Sequence, residues 1–480
     1  MSSGINYKAM FYGRSNLYAV RGRKILHFFQ TVGGRKMKSM KPSSKIGLSE
    51  FDGRRRELMA LMEPDSIAVL PGSQVQYRTQ GVQYRFRQDS DFHYLTGFDE
   101  PGAVLVLIPE REYGEVILFC REREDDLERW HGSVTGPERA MQLYGMDDAF
   151  PVEDIDDILP GLIEGRARLY YAMGTYSDFD SRVISWLNSI PRNNRSGIEP
   201  PGELIQLGPF LHELRLFKSG GEIDILRTAA EISAKAHMEV MNLLSPGMME
   251  YELEAALLYQ FTLNGAGSAA YPSIVGGGAN ACVYHYIDNN QTLVDGDLVL
   301  IDAGSEYEYY ASDVTRTLPV NGQFNPVQAS LYKIVLNAQL AAIHQVKPGN
   351  HWNQPHEAAV YEITRGLVEL GLLEGNVQRL VENGAYKPFY MHRTGHWLGL
   401  DVHDVGEYRI DGEWRVFEQG MVCSIEPGIY IPENAEHVPV EFRGIGIRIE
   451  DNVLITGNGN SVLTAGIPKT IEEIEQAMAL

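Results

Sequence analysis

Four strand-sized apolar runs in the second half of the chain meet acidic residues at their ends: LVLID (298–302), DVTRTLPV (313–320), VCSIE (422–426) and GIGIRIE (444–450). Runs this rich in Val, Ile and Leu fold as strands, and an acid at the end of a buried strand needs a counter-charge or a proton. Asp302, Asp313 and Glu426 stand at ends of such runs, and Glu450 lies on one face of the fourth. Residues 297–320 read as a hairpin, two β runs flanking a polar, tyrosine-rich turn, with Asp302 closing the first run and Asp313 opening the second. Such arms bring two carboxylates together, and these repel unless a proton or cation lies between them. Taken singly, each acid reads as a turn cap or a strand-end surface residue; only the set suggests more.

In GIGIRIED, Ile445, Ile447 and Ile449 share one face, and Gly446, Arg448 and Glu450 share the other. Its bland reading is a strand with one solvated face. Pro427 biases Glu426 toward extended backbone. Helical patterns separate these strands. Residues 211–244 read as a short linker helix and then a long amphipathic one, with Ile225, Ala229, Ile232 and Ala236 on one face. A second helix runs through YELEAALLYQFTLNGA, and a third, SLYKIVLNAQLAAIHQV, stops before Pro348-Gly349. The second half is therefore α+β, with helices covering a curved sheet.

The first half holds a helix at EFDGRRRELMALM and the strands SIAVL, AVLVLI, EVILFC and RLYYAMG, alternating with polar or helical segments, which is an α/β layer. PRNNRSGIEPPGELIQLGPF (191–210), rich in Pro, Gly and Asn, reads as the linker. The expected division is a basic leader at 1–47, an α/β domain at 48–210 and an α+β domain at 211–480. Two domains are also what 480 residues suggest. A net charge of −22 argues against a nucleic-acid partner. Aliphatic runs no longer than a strand argue against a membrane span. Cys120, Cys282 and Cys423 have neither disulfide-framework nor zinc spacing, so a reducing, cytoplasmic setting is expected. The leader carries ten Lys/Arg and no acid before Glu50. It reads as a disordered tail, an extension upstream of a start at Met40, or a mitochondrial transit peptide.

MHRTGHWLGLDVHD (391–404) holds three of the chain's 13 histidines: His392, His396 and His403. A zincin helix needs Glu after the first histidine, and Arg393 stands there instead. Gly395, Gly399 and Val402 also disfavour a helix. In a strand, His392 and His396 share a face only if pairing is regular, and His403 points away or lies past a bend at Gly399. A three-histidine cluster is not favoured, and one imidazole suffices if carboxylates complete a metal shell. Two Asp, two Glu and one His can hold two adjacent divalent ions, and such an oxygen-rich set suits Mn²⁺ or Co²⁺.

The motifs IDAG(x₇)SDVTRT, HWLGLDVHD, SIEPGIY and GIGIRIED, in this order, resemble the pita-bread metallopeptidase family, most of all its aminopeptidase P branch of bacterial or mitochondrial type. QDSDFHYLTGFDEP and HELRLFKS extend the resemblance over roughly residues 50 to 475. It implies an amino-terminal α/β domain and a pita-bread catalytic domain at 211–480. The implied activity is that of an exopeptidase releasing the residue before a proline in second position, by attack of a hydroxide bridging two metals, Mn²⁺ with Co²⁺ or Zn²⁺ as alternatives. Asp302 would chelate one ion, Asp313 and Glu450 would bridge both, and His396 and Glu426 would complete the second. Glu426 would also shuttle the proton. His285 and His403 would sit beside the scissile peptide, and His392, Tyr430 and Arg448 would line a proline pocket. Trp130 and Arg195 would approach from the amino-terminal domain, Trp130 from a neighbouring subunit. The partners implied are Xaa-Pro peptides and further copies of the chain, as a homo-dimer or homo-tetramer.

Arg393 departs from the family, where many relatives carry glycine. SIVGGGANAC lacks a following GK[ST], so it reads as a turn bringing His285 toward the site rather than a phosphate cradle. Two other readings stay open: a prolidase limited to dipeptides, and a non-catalytic pita-bread binding module.

Overall fold

The computed structural model describes residues 46–123, 129, 132–190 and 199–479. The basic leader to residue 45 lies outside the described residues, as do Trp130 and Arg195.

The first half builds one mixed sheet from β1 (Ser66–Pro71), β2 (Val104–Leu107), β3 (Val116–Cys120), β4 (Asp148–Pro151), β5 (Arg168–Tyr170) and β6 (Glu203–Ile205), in the order β4-β3-β2-β1-β5-β6. β2 runs antiparallel to β1 and β3, whereas the β3–β4, β1–β5 and β5–β6 pairs are parallel. Alternate residues of the central strands serve two cores. Leu70, Leu105 and Leu118 pack on one face, and Val69, Val106 and Phe119 on the other. Coverage on both faces is why these strands read as continuous apolar runs rather than alternating ones.

β6 corrects the linker assignment. The Pro/Gly-rich stretch at 191–210 contains an edge strand bonded to β5, followed by helix α2 (Gly208–Leu216). Backbone pairing at a free sheet edge overrode the local loop signal. Helix α1 (Leu48–Leu61) precedes the sheet, where EFDGRRRELMALM reads as a helix.

The second half opens with α3 (Gly220–Leu243). Ser219 caps it in a reciprocal box with Glu222, and Ile225, Ala229, Ile232 and Ala236 are all buried. α4 (Glu250–Leu263), α5 (Pro326–Gln345) and α6 (Asn353–Glu369) complete the helical cover. α5 starts with Asn325 as cap and Pro326 in the first turn. β7 (Ile274–Gly277), β8 (Leu298–Asp302) and β9 (Thr315–Pro319) form an antiparallel sheet. β10 (Val422–Ile425), β13 (Asp451–Thr456) and β14 (Gly459–Val462) form a second, and β11 (Gly428–Ile431) pairs with β12 (Ile445–Arg448).

The connections place the site. The chain leaves β10 for β11 at Glu426-Pro427, and it leaves β12 for β13 at Ile449-Glu450. Register pairs Ile425 with Asp451 and Gly428 with Arg448, so both glutamates occupy the same break between sheets. The core is continuous between the two halves. Leu58, Phe92 and Leu118 share a cluster with Leu226, Tyr310, Leu398 and Val422.

Candidate active site

Asp302 ends β8 opposite Thr315, and Asp313 lies two residues before β9. The polar turn between the arms folds back as its own small hairpin, Ser305–Tyr307 with Tyr310–Ala311. Glycine makes this approach possible. A Cβ on Gly304 would fall 1.6 Å from the Ser312 carbonyl oxygen. A Cβ on Gly395 would likewise fall 2.0 Å from the Ser424 carbonyl oxygen. That contact lets residues 394–398 lie along β10. The Ser424 N–H donates to the His396 carbonyl at 2.9 Å, and the Glu426 N–H donates to the Thr394 carbonyl at 2.7 Å. The adjacent Trp397 is fully buried, so His396 and Glu426 are set against each other by packed backbone.

One oxygen or nitrogen from each of Asp313, His396 and Glu450 comes within 4.8 Å of the others. His396 Nε2 lies 3.3 Å from Asp313 Oδ2 and 3.7 Å from Glu426 Oε1. His396 Nδ1 donates to the Trp397 carbonyl at 2.9 Å, which aims the lone pair of Nε2 at those carboxylates. Glu450 Oε2 accepts from Thr315 Oγ1 at 2.8 Å, but Glu450 Oε1 is buried with no partner among the described residues. Lone pairs facing one another in a dry site are tolerable only around a proton or a cation, so these residues fit a metal centre. Asp302 stands slightly apart. Tyr271 donates to its Oδ1 at 2.6 Å, and Arg448 makes a short contact with its Oδ2.

Electrostatics reflect the crowding. Burial, with the charges of Asp313 and Glu426, holds Glu450 well above the usual carboxylate range. Burial pushes Glu426 up to about 7 against the opposing charges of His396 and Arg448. Burial would lower His396, yet its bond to Asp313 and the charge of Glu426 raise it to about 9. Asp313 is lowered in turn despite burial, through His396.

The cluster floors a cleft of about 740 Å³. His285, His392, His403 and Arg448 all line it, as do Tyr271 and Tyr284. The segment 391–404 is neither helix nor strand, and all three of its histidines reach the cleft. The His403 ring stands edge-on to His396 at 4.4 Å between centroids. His392 Nδ1 donates to the Arg393 carbonyl at 2.7 Å and leaves Nε2 to accept from Tyr430 OH at 3.0 Å. Burial and the nearby Arg448 lower His392 to about 3, so it is neutral and that tautomer holds.

One expected position needs correcting. Tyr430 does not face the cleft; it is fully buried behind His392 and Tyr284, its ring 4.7 Å from that of Tyr284. Arg448 reaches the cleft, but its guanidinium is spent on Asp302, Thr315 and Tyr430. Nor does GIGIRIED have a solvated face, since residues 446–450 are buried throughout. Both faces are covered because the strand passes between sheets.

Arg393 lies exposed at the cleft, 5.2 Å from the Trp414 ring centroid. The Gly-rich turn carries an acid where a phosphate cradle would need none, since Glu250 Oε1 accepts from Gly277 N–H at 2.8 Å. Tyr271, Tyr284 and Thr315 escaped the sequence reading. Thr315 was findable, because Asp313, Thr315 and Thr317 share a period of two. Tyr271 comes from a segment with no local signal.

Residues 224–457 match the model of metallopeptidase family M24, and residues 51–170 match that of the aminopeptidase P N-terminal domain. The chain is 42% identical to a Xaa-Pro aminopeptidase of Haemophilus influenzae, over 91% of this chain and 98% of that protein. It is 44% identical to a Xaa-Pro aminopeptidase of Escherichia coli, again over 91% and 98%. It superposes on the solved Pseudomonas aeruginosa aminopeptidase PepP with a TM-score of 0.89 at 55% identity, covering 91% of this chain and 98% of that one.

Proposed function

The chain belongs to metallopeptidase family M24, and on that premise we propose that it is a metal-dependent exopeptidase releasing the amino-terminal residue of peptides with proline second. The observation that carries this reading is the convergence of Asp313, His396 and Glu450, with Glu450 Oε1 unpartnered among the described residues, at the floor of a walled cleft. Asp302, Asp313, His396, Glu426 and Glu450 would hold two divalent ions, Mn²⁺ suiting the oxygen-rich set and Co²⁺ or Zn²⁺ being alternatives. Such ions, when bound, supply Lewis-acid polarisation of the scissile carbonyl and acidify water.

The remaining work falls to the chain. Glu426 takes the proton released on attack and delivers it to the departing prolyl nitrogen. His403, beside His396, donates to the oxygen that becomes negative. His285 holds a substrate carbonyl across the cleft. His392 and Tyr284 present ring faces to the proline, and Tyr430 fixes the tautomer of His392 from behind. Trp130 and Arg195 remain candidates for substrate contact from the amino-terminal domain.

Hydrolysis of an Xaa-Pro dipeptide, tripeptide and pentapeptide with Mn²⁺ tests the reading. Cleavage of all three, with the longer peptides at least as good, is expected. Cleavage of the dipeptide alone would make the protein a prolidase, and no chelator-sensitive hydrolysis would make it a binding module. Among the described residues no helix is long and apolar enough to cross a membrane. A cytoplasmic setting fits the three free cysteines. A homo-dimer or homo-tetramer is the assembly we expect, and sedimentation of the full chain checks it.

A further inference from the structure

Three motifs outside the carboxylate cluster meet at one buried point. They are RQDSD (87–91) of the amino-terminal domain, HELRLFK (212–218) at the junction, and GLDVHD (399–404) of the catalytic domain. Arg215 is the centre. Its Nη1 lies 2.7 Å from Asp91 Oδ1, and its Nη2 lies 2.8 Å from Asp401 Oδ2 and 2.6 Å from Asp404 Oδ1. Lys218 Nζ takes the other oxygen of Asp404 at 2.9 Å. Ser90 Oγ donates to Asp401 Oδ1 at 2.7 Å, and Arg87 Nη2 donates to the Leu400 carbonyl at 2.7 Å.

Asp401 and Asp404 bracket His403. Among the described residues the His403 ring makes no hydrogen bond, so its aim depends on the backbone that carries it. That backbone is tied locally by Gly399 N–H to the Asp401 carbonyl and by Asp404 N–H to the Trp397 carbonyl. From the catalytic domain the Ala311 N–H also donates to the Gly399 carbonyl at 2.9 Å, whereas the side chains of Asp401 and Asp404 are held by Ser90, Arg215 and Lys218 of the amino-terminal domain and the junction. A buried charge network gains little stability over apolar packing, but it fixes one geometry. The guanidinium holds three carboxylates from a planar fork, which an ammonium cannot reproduce.

We propose that Arg215 is a positioning residue that ties the amino-terminal domain, through Asp91, to the loop aiming His403. The amino-terminal domain is then part of the catalytic geometry rather than an appended module. This rests on the role given to His403 above.

The test compares Arg215→Lys and Asp91→Asn in the full chain, each alone and on a His403→Ala background. Each single variant lowers kcat by ~10–100-fold, as misplacement of a reacting group does. KM for an Xaa-Pro tripeptide stays within ~3-fold and metal content per chain is unchanged, because the substituted groups touch neither. Hydrogen exchange at residues 399–405 accelerates. On the His403→Ala background the same substitutions change kcat by less than ~2-fold, since nothing remains to be aimed.

Equal losses in both backgrounds, or an unchanged kcat per folded chain, would overturn the proposal. Should Arg215→Lys fail to fold, Ser90→Ala makes the same comparison through the bond from Ser90 to Asp401. A wild-type protein that leaves the tripeptide intact refutes the functional reading instead, and exchange at 399–405 still reports on the tie.

Discussion

Glu450 and Asp451 are adjacent, both are fully buried, and their surroundings are electrostatically opposite. Asp451 Oδ1 receives Arg316 Nη2 at 2.8 Å and Thr464 Oγ1 at 2.7 Å, and its Oδ2 receives Gln339 Nε2 and Lys469 Nζ, both at 2.7 Å. Against the cost of burial, Arg316 and Lys469 hold it down to about 2. Glu450, one peptide away on the other face, has one oxygen on Thr315 and the other on no group among the described residues, with three carboxylates nearby. The first cluster is finished by protein groups. The second is left incomplete, and charge left uncompensated where it is costly marks a place built for something else to bind.

The contrast can be broken by substitution. The largest effect is expected at His396. His396→Ala lowers the rate by more than ~10³-fold, beyond what one oxyanion donor contributes, and metal content measured by emission spectroscopy falls with it. A variant that keeps its metal would show that the incomplete cluster is not the metal centre.

Next comes a paired stability experiment on the metal-free protein. Asp451→Asn strands buried Arg316 and destabilises by ~3–5 kcal/mol in denaturant melts. Glu450→Gln removes a like charge and raises the melting midpoint. Equal destabilisation by both would erase the distinction between the clusters.

His403→Ala comes third, with a loss of ~10²-fold in kcat and metal retained. If it also empties the site, the division between ligand and oxyanion residues is wrong.

The smallest effect is in pH dependence, and the two clusters differ in sign. The Asp451 carboxyl is depressed, so its ~2 kcal/mol is present above the unfolded value of 3.8 and lost as pH falls toward about 2. The Glu450 carboxyl is raised, so its share is present below 4.5 and lost as pH rises through its folded value. Chelator-treated protein therefore gains stability from Glu450→Gln at pH 7 and not at pH 4. A gain of the same size at both values contradicts the assignment.

Much of this was legible before any coordinates. Apolar runs announced nearly every central strand, and Ile225, Ala229, Ile232 and Ala236 announced α3, because a period of two or of 3.6 is written locally. α6 was missed because HWNQPHEAAVYEITRG places polar and small residues through its apolar face. β6 was missed because an edge strand between prolines is stabilised by its neighbour rather than by its own residues. Among site residues, the acids and histidines were visible by type and order. Tyr271, Tyr284 and the buried placement of Tyr430 were not, since nothing local sets which way an aromatic ring faces.

By itself, then, the sequence determined which groups were available. Strand periodicity placed an acid at each rim position, and the absence of Glu after His392 removed the helical zinc motif. Only the tertiary structure decided how they divide. The passage of two strands between sheets put Glu450 and Asp451 on opposite faces, and close approach at Gly304 and Gly395 brought Asp313, His396 and Glu426 together. The physical reason is range. Periodicity and turn chemistry act over a few residues, whereas the charge felt by a buried carboxylate depends on partners from distant segments that only the folded chain brings within hydrogen-bonding distance.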